Sequence, residues 1–374
     1  MARFFVAVLA ALLTWLSVEG VWSVAHGRRP VPSLAAAGAA SLATLRSGGA
    51  PAPDEGAAPI LTDPGEIEAV LPALRAAHVV LGNSPYRKLA SEEARFTTGD
   101  PKLGTLRLKP DLAAESGFLR TTLFAPLDPP SYTVRRNEPL PAALQRFLAR
   151  YAFAPRVFTT DAFGERTTLP PSSAGETVLV AGDSVAFGQM LGDDEHLASQ
   201  LQVRLPRLRF VNLGIPGGSE VESVAVLEEA LDRTPRVGAV VYVHFDNDYA
   251  LGQTPETIVA RLSELGKRHA VLRIVFVAHH YVEQTMPEIF RSEPEAYRAG
   301  RRRTRELLER ATAAGFFVID TTPIFEEARD EAGSLLAGAA LYLDHAHLSR
   351  EGTRRLAERV AAGLSQTTET GVAR

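Results

Sequence analysis

The chain has 374 residues, of which 45% are hydrophobic and 22% are charged, as in an ordinary globular protein. This length accommodates a full catalytic domain together with a smaller region. The net charge of -4 does not indicate a nucleic-acid-binding surface. Because the chain has no cysteine, thiol catalysis, cysteine-ligated zinc and disulfide bonds are excluded.

The N-terminus carries an apolar run, residues 4–25, that is interrupted only by Glu19. A helix of this length rises about 33 Å at about 1.5 Å per residue, which is enough to span a bilayer. The small residues from Ser23 to Ala25 also suit a signal-peptide cleavage site. We therefore predict that residues 1–25 are a signal peptide or a membrane anchor and that the protein is exported to a periplasmic or other extracytoplasmic location.

Composition divides the rest of the chain into four parts. Residues 26–59 are rich in Ala, Gly and Pro and are predicted to be a linker. Residues 60–173 contain two helical patterns, "DPGEIEAVLPALRAAH" and "LPAALQRFLARYA", among Pro-rich stretches, which indicates an accessory subdomain. Residues 174–366 are predicted to form the main domain, and residues 367–374 a tail.

Short apolar runs alternate with helical patterns from residue 176 onward, which predicts βαβ units, an α/β fold and a parallel sheet. The ligand site of such a sheet lies at the carboxyl ends of its strands. A final helix is predicted to begin after Ser349, a good N-cap residue. The predicted strands are residues 177–181, 208–213, 237–245, 271–278 and 315–320.

The polar residues that follow these strands could support nucleophilic catalysis by a serine. Ser184 follows the first strand, and such a nucleophile needs a base and a group that orients the base. Asp344 and His347 are three residues apart, so the carboxylate can hold Nδ1–H while Nε2 faces outward. The N–H groups of Ser184 and Gly214 and the side-chain amide of Asn247 are available to bind a developing oxyanion.

Four segments of this set occur in one order along the chain: "VAGDSVAFGQ", "VNLGIPGGS", "FDND" and "DHAHLSREG". Together they resemble the sequence blocks of the SGNH (GDSL-type) serine hydrolases, over about residues 177–365. The resemblance implies that Ser184 is the nucleophile and that Asp344 and His347 complete the triad. It also implies an oxyanion hole formed by Ser184, Gly214 and Asn247, and a flavodoxin-like three-layer α/β/α fold with a five-stranded parallel sheet.

Two residues near these segments bear on the resemblance, one as a departure from the family pattern and one as a competing base. Phe245 stands where the family usually has a glycine, so it is expected to affect the loop that carries Asn247 or the size of the substrate. His345 competes with His347 as the base, but the Asp-x-x-His spacing and the following "LS" favour His347.

A metal-dependent hydrolase and an inactive binding module are the alternatives to a serine enzyme. Several acidic and histidine residues are expected near the same edge of the sheet, where they could ligate one or two metal ions. An intact Ser, Asp and His disfavour the inactive module. The potential ligands are His244, Asp246, Asp248, His279, His280, Asp344, His345 and His347.

We therefore predict a serine esterase that hydrolyses carboxylic esters, with O-acetyl groups of envelope or extracellular carbohydrate as the expected substrates. An O-acyltransferase with the same triad, or a lipase or lysophospholipase, remains the alternative. No metal, no other cofactor and no nucleic-acid partner are expected, and the membrane is an expected partner through residues 4–25.

Overall fold

The computed structural model describes residues 59–82, 96–99, 106–121, 130–136, 138–173, 175–269, 273–286 and 295–369. Its strands are β1 (Val80–Gly82), β2 (Thr97–Thr98), β3 (Arg107–Leu108), β4 (Ala113–Leu119), β5 (Ser131–Arg135), β6 (Ala152–Thr159), β7 (Thr177–Gly182), β8 (Arg209–Asn212), β9 (Val237–His244), β10 (Arg273–Ala278) and β11 (Phe317–Asp320). Its helices are α1 (Pro64–Ala76), α2 (Ala142–Tyr151), α3 (Ser184–Phe187), α4 (Leu197–Arg204), α5 (Glu220–Arg233), α6 (Pro255–Arg268), α7 (Val282–Thr285), α8 (Glu295–Ala313), α9 (Thr322–Ala332), α10 (Leu335–Ala339) and α11 (Arg350–Glu369).

The predicted five-stranded parallel sheet is confirmed, with the strand order β11-β10-β9-β7-β8. All residues of β7 are buried, and so are all but the first residue of β9. Such continuous burial is expected of strands that have helices on both faces. Because β7 lies between β8 and β9, its carboxyl end has a neighbouring strand on each side.

Alternate residues of the central strands pack into two different cores. Val178 and Val180 of β7 belong to a cluster that includes side chains of α4, α9 and α11, whereas Leu179 and Ala181 belong to a cluster with α5, α6 and α8. The period of two along each strand therefore separates the helix layers. The domain has three layers, α/β/α. Full burial of a side chain such as Leu179, which is 0% exposed, contributes on the order of 2 kcal/mol.

Capping residues set where the helices begin. Ser219 and Glu222 form a capping box at α5, and Thr254 precedes Pro255 at the first position of α6. Ser349 precedes α11, and its Oγ accepts the Gly352 N–H at 3.2 Å. The N-cap predicted at Ser349 is thereby confirmed.

Residues 60–173 contribute a four-stranded antiparallel sheet with the order β1-β5-β4-β6, and β2 pairs with β3. The two predicted helices are present as α1 and α2. Side chains of both helices, including Ile67, Leu74, Leu144 and Phe147, form one core with side chains of this sheet. The sheet itself was not predicted.

The predicted N-terminal segment, residues 4–25, and the predicted linker up to Ala58 lie outside the described residues, as do the last residues of the predicted tail. Among the helices that the structure describes, none is long and apolar enough to span a bilayer.

The close packing at the end of β7 gives a test of the fold. Gly182 has a φ of +141°, and a Cβ at this position would lie 2.3 Å from the carbonyl oxygen of Val243. We expect Gly182→Ala to lower the free energy of unfolding by about 2 kcal/mol or more, as measured by urea denaturation.

The matched control is Gly266→Ala in α6, where a Cβ would meet only Ile274 Cδ1, at 3.5 Å. This control should leave stability unchanged or raise it by up to about 1 kcal/mol, because alanine favours a helix over glycine. Equal losses in the two variants would contradict the assignment of Gly182 to a conformation that only glycine tolerates.

Candidate active site

Ser184 lies at the start of a one-turn helix at the carboxyl end of β7. Asp183 is the N-cap of this helix, and its Oδ1 accepts the Val185 N–H at 2.8 Å. The helix ends at Gly188, whose left-handed φ of +78° closes the turn and whose N–H reaches back to the Ser184 carbonyl. Ser184 is 7% exposed, so its hydroxyl is shielded but accessible.

Asp344 and His347 lie in the tight segment before α11. One carboxylate oxygen of Asp344, Oδ1, accepts the backbone N–H groups of Ala346 and His347 at 2.8 and 2.7 Å. The other oxygen, Oδ2, lies 2.7 Å from His347 Nδ1. His347 Nε2 lies 2.9 Å from Ser184 Oγ. The structure thus brings the three predicted residues together in a Ser–His–Asp line.

The charges of this pair follow from their burial and from each other. Burial alone would raise the pKa of Asp344, but the charge and hydrogen bonds of His347 hold that pKa well below its usual value. Burial likewise disfavours the charged form of His347, but the charge of Asp344 and its hydrogen bond outweigh this effect and raise the pKa of His347. Asp344 is therefore a carboxylate at neutral pH that accepts the Nδ1 proton, and in the neutral form of His347 Nε2 is left to accept the Ser184 hydroxyl.

Asn212 holds Gly214 against α3, the one-turn helix that begins at Ser184 (the nucleophile helix). The Asn212 side chain donates to the carbonyl of Ala186 at 3.1 Å and accepts the Gly214 N–H at 2.9 Å. A Cβ on Gly214 would lie 2.1 Å from the Phe187 nitrogen, so only glycine fits. Because its N–H already donates to Asn212, Gly214 must share or exchange this bond to bind an oxyanion. That role stays a prediction.

The segment that carries Asn247 follows β9 as a 3₁₀ helix, Asp246–Gly252. The predicted role of the Asn247 amide stays a prediction, since that side chain is not among those the structure describes. Phe245, directly before it, is 5% exposed, and its ring centroid lies 4.5 Å from that of Tyr281 and 5.6 Å from that of His279. The phenyl ring therefore fills the core between the ends of β9 and β10.

The side chains considered as metal ligands have other partners. His244 Nδ1 lies 2.8 Å from Asp248, His279 Nε2 lies 2.7 Å from the Ala346 carbonyl, and His280 Nε2 lies 2.9 Å from Asp320. In the part of the chain that the structure describes, no three His, Asp or Glu side chains are arranged to hold a metal ion. The competing histidine, His345, stacks on Tyr281 with an interplanar angle of 9°.

A narrow cavity opens beside the triad. Ser184 and His347 line it together with Gln189, Leu191 and Thr353.

One residue that contacts the segment from Ser184 to Leu191, which we call the nucleophile turn, was not predicted from the sequence. Arg166 is completely buried, and its guanidinium donates to carbonyl groups that follow Ser184. Its sequence surroundings, "FGERTTLPP", contain no motif and do not distinguish it from the other arginines.

Comparison with known families agrees with this geometry. The sequence model described as "SGNH domain (fused to AT3 domains)" matches residues 246–362, which include Asn247, Asp344 and His347. This segment of the chain is therefore similar to an SGNH domain. The matched range does not include Ser184 or Gly214.

Solved structures that are similar to this chain each align with about half of it. A lipolytic protein of the G-D-S-L family from Veillonella parvula is 16% identical, with 51% of this chain and 100% of that chain covered and a TM-score of 0.40. The psychrotrophic esterase EstA from Pseudoalteromonas is 16% identical (52% and 100% covered, TM-score 0.39). Axe2, an acetylxylan esterase from Geobacillus stearothermophilus, is 21% identical (51% and 94% covered, TM-score 0.37). No curated protein sequence matches the chain.

The pairing of Asp344 with His347 is testable by NMR titration of the imidazole. We expect His347 to titrate above the usual value of 6.5 and Asp344→Asn to move its pKa downward, because burial then acts without the carboxylate charge. Asp320→Asn, which removes the carboxylate beside His280, should leave the His347 titration unchanged. A His347 pKa that does not respond to Asp344→Asn would contradict the pairing.

Proposed function

We propose that this protein is a serine esterase of the SGNH type in which Ser184, His347 and Asp344 hydrolyse a carboxylic ester. The observation that carries the proposal is the position of His347, whose Nε2 is 2.9 Å from Ser184 Oγ while its Nδ1 is 2.7 Å from Asp344 Oδ2. A nucleophile, a base and a group that orients the base are the components of nucleophilic ester cleavage.

The first half of the proposed reaction forms an acyl-enzyme. His347 Nε2 takes the hydroxyl proton as Ser184 Oγ attacks the ester carbonyl carbon. The resulting imidazolium is stabilised by the buried carboxylate of Asp344. The oxyanion is bound by the Ser184 N–H, with Gly214 and Asn247 as the further proposed donors. Collapse of this intermediate breaks the bond to the alcohol oxygen, which receives the proton from His347.

The second half releases the acyl group to water. His347, neutral again, takes a proton from a water molecule that attacks the acyl-enzyme carbonyl. When this tetrahedral intermediate collapses, its bond to Ser184 Oγ breaks, His347 returns the proton to Oγ, and the carboxylic acid leaves. In an acyltransferase a sugar hydroxyl would replace this water, with the same residues and the same proton transfers.

The proposed substrates are O-acetyl esters of envelope or extracellular carbohydrate. The opening beside Ser184 and His347 is narrow, which favours a short acyl group over a long fatty acyl chain. The apolar run at residues 4–25 supports export of the protein and its anchoring to the membrane. An exported enzyme would meet the carbohydrates of the envelope and the extracellular space. The carbohydrate part of the proposal rests on analogy within the family.

A series of p-nitrophenyl esters tests both the nucleophile and the acyl preference. We expect acetate to be cleaved in preference to butyrate and longer chains, and Ser184→Ala to lower kcat by about 10⁴-fold or more. Ser223→Ala is the matched control, because Ser223 is also buried but lies in α5, and it should leave kcat unchanged.

Each alternative predicts a different pattern in this assay. Activity that rises with chain length indicates a lipase, and consumption of an acyl donor only when a sugar is added indicates a transferase. Unchanged activity in Ser184→Ala would exclude the proposed mechanism, and loss of activity on chelation would indicate a metal enzyme.

The pH dependence of the reaction follows from the charge of the base. His347 accepts a proton only when neutral, so kcat/KM should rise with pH through the raised pKa of His347 and level off above it. Asp344→Asn should shift this rise to lower pH and reduce the plateau by about 10⁴-fold. A rise whose midpoint does not respond to Asp344→Asn would show that another group controls the pH dependence.

A further inference from the structure

Arg166 lies in the segment that joins the antiparallel sheet to β7. Its backbone N–H donates to the Asn212 carbonyl at 3.1 Å, which places it beside the end of β8. The side chain is 0% exposed. Arginine is rarely buried to this extent unless several partners receive its N–H groups.

The partners of Arg166 are carbonyl groups of the turn that contains the nucleophile. Its Nη1 donates to the carbonyls of Phe187 and Gly188, the latter at 2.7 Å, and its Nη2 donates to the carbonyl of Leu191 at 2.6 Å. The carbonyls at the end of a helix have no partners within the helix. A helix of one turn is also unstable by itself, so its geometry depends on such external contacts.

The surroundings of the guanidinium are built to accept it. Its central carbon lies 4.4 Å from the ring centroid of Phe187 and 5.7 Å from that of Phe158 in β6. A Cβ on Gly188 would lie 3.2 Å from Nη1, so the glycine allows the close approach. Asp193 Oδ1, at 3.5 Å from Nε, supplies the opposite charge. Burial lowers the pKa of Arg166 to about 10, so the side chain stays charged at neutral pH.

We propose that Arg166 is a positioning residue for Ser184, by which residues 60–173 help to hold the nucleophile in line with His347. The inference rests on the proposed role of Ser184 as nucleophile. Ser184 and the carbonyls that Arg166 binds belong to the same turn and its direct continuation. A displacement of about 1 Å in a reacting group lowers the rate by about 10²-fold. Arg166 is not among the residues that line the opening beside the triad, so we expect its replacement to change kcat more than KM.

The experiment compares Arg166→Met and Arg166→Lys with the control Arg156→Met. Arg156 lies in β6, also within residues 60–173, but its Nε binds Glu195 at 2.9 Å and it does not reach the nucleophile turn. Activity is expressed per folded site by titrating Ser184 with a fluorophosphonate, and hydrogen exchange is followed in the segment 183–191. Both are measured on the full chain.

We expect Arg166→Met to lower kcat by about 10²-fold at nearly constant KM and to speed amide exchange in residues 183–191. Arg166→Lys should recover part of kcat, since an ammonium donates hydrogen bonds but lacks the planar fork. Arg156→Met should keep kcat and the exchange of residues 183–191 within about twofold of the unmodified chain, because the Arg156 side chain is 39% exposed and its partner Glu195 lies outside that segment.

The proposal is overturned if Arg166→Met keeps its kcat, if only KM changes, or if Arg156→Met loses as much kcat. Should Arg166→Met fail to fold, Arg166→Lys decides, and a kcat and exchange rate equal to those of the unmodified chain overturn the proposal. Ser184→Ala assayed in parallel separates the two hypotheses. If that variant retains activity, the proposed function fails, while exchange in residues 183–191 still tests whether Arg166 holds the turn.

Discussion

The hydrogen bond between Ser184 Oγ and His347 Nε2 is the contact that joins the two halves of the candidate site. Its two residues are 163 positions apart in the chain, so no local structure can bring them together. The parallel sheet brings them together because the carboxyl end of β7, between β8 and β9, lies next to the segment that precedes α11. The buried Asp344 then fixes the imidazole by accepting from Nδ1 and from two backbone N–H groups.

The same region must also satisfy backbone groups that a one-turn helix leaves unpaired. Two buried polar side chains, Asn212 and Arg166, satisfy several of these groups by donating to carbonyls between Ala186 and Leu191. Asn212 at the same time accepts the Gly214 N–H, so the nucleophile helix and the glycine loop are tied through one amide. Hydrogen bonds are electrostatically stronger inside a protein than in water, so these buried donors favour one geometry of the turn.

The features predictable from sequence were those with a local pattern. Continuous apolar runs identified the five parallel strands, and the spacing from Asp344 to His347 identified a carboxylate–imidazole pair. The antiparallel sheet was missed because strands such as Thr97–Thr98 and Arg107–Leu108 are too short to show a period of two. Arg166 was missed because its role depends on a contact across the fold with residues that follow Ser184. The place of Phe245 in the core likewise depends on Tyr281, from another strand end.

The contacts between residues 60–173 and the hydrolase sheet bear on how the chain unfolds. Arg166 with the nucleophile turn, Arg156 with Glu195, and the Thr159 hydroxyl with Asp193 at 2.7 Å all cross the predicted domain boundary. Regions joined by buried hydrogen bonds open together in hydrogen exchange as one cooperative unit. We therefore expect the two sheets to open together, so that a change in the stability of the antiparallel sheet affects Ser184 without altering any group of the candidate site.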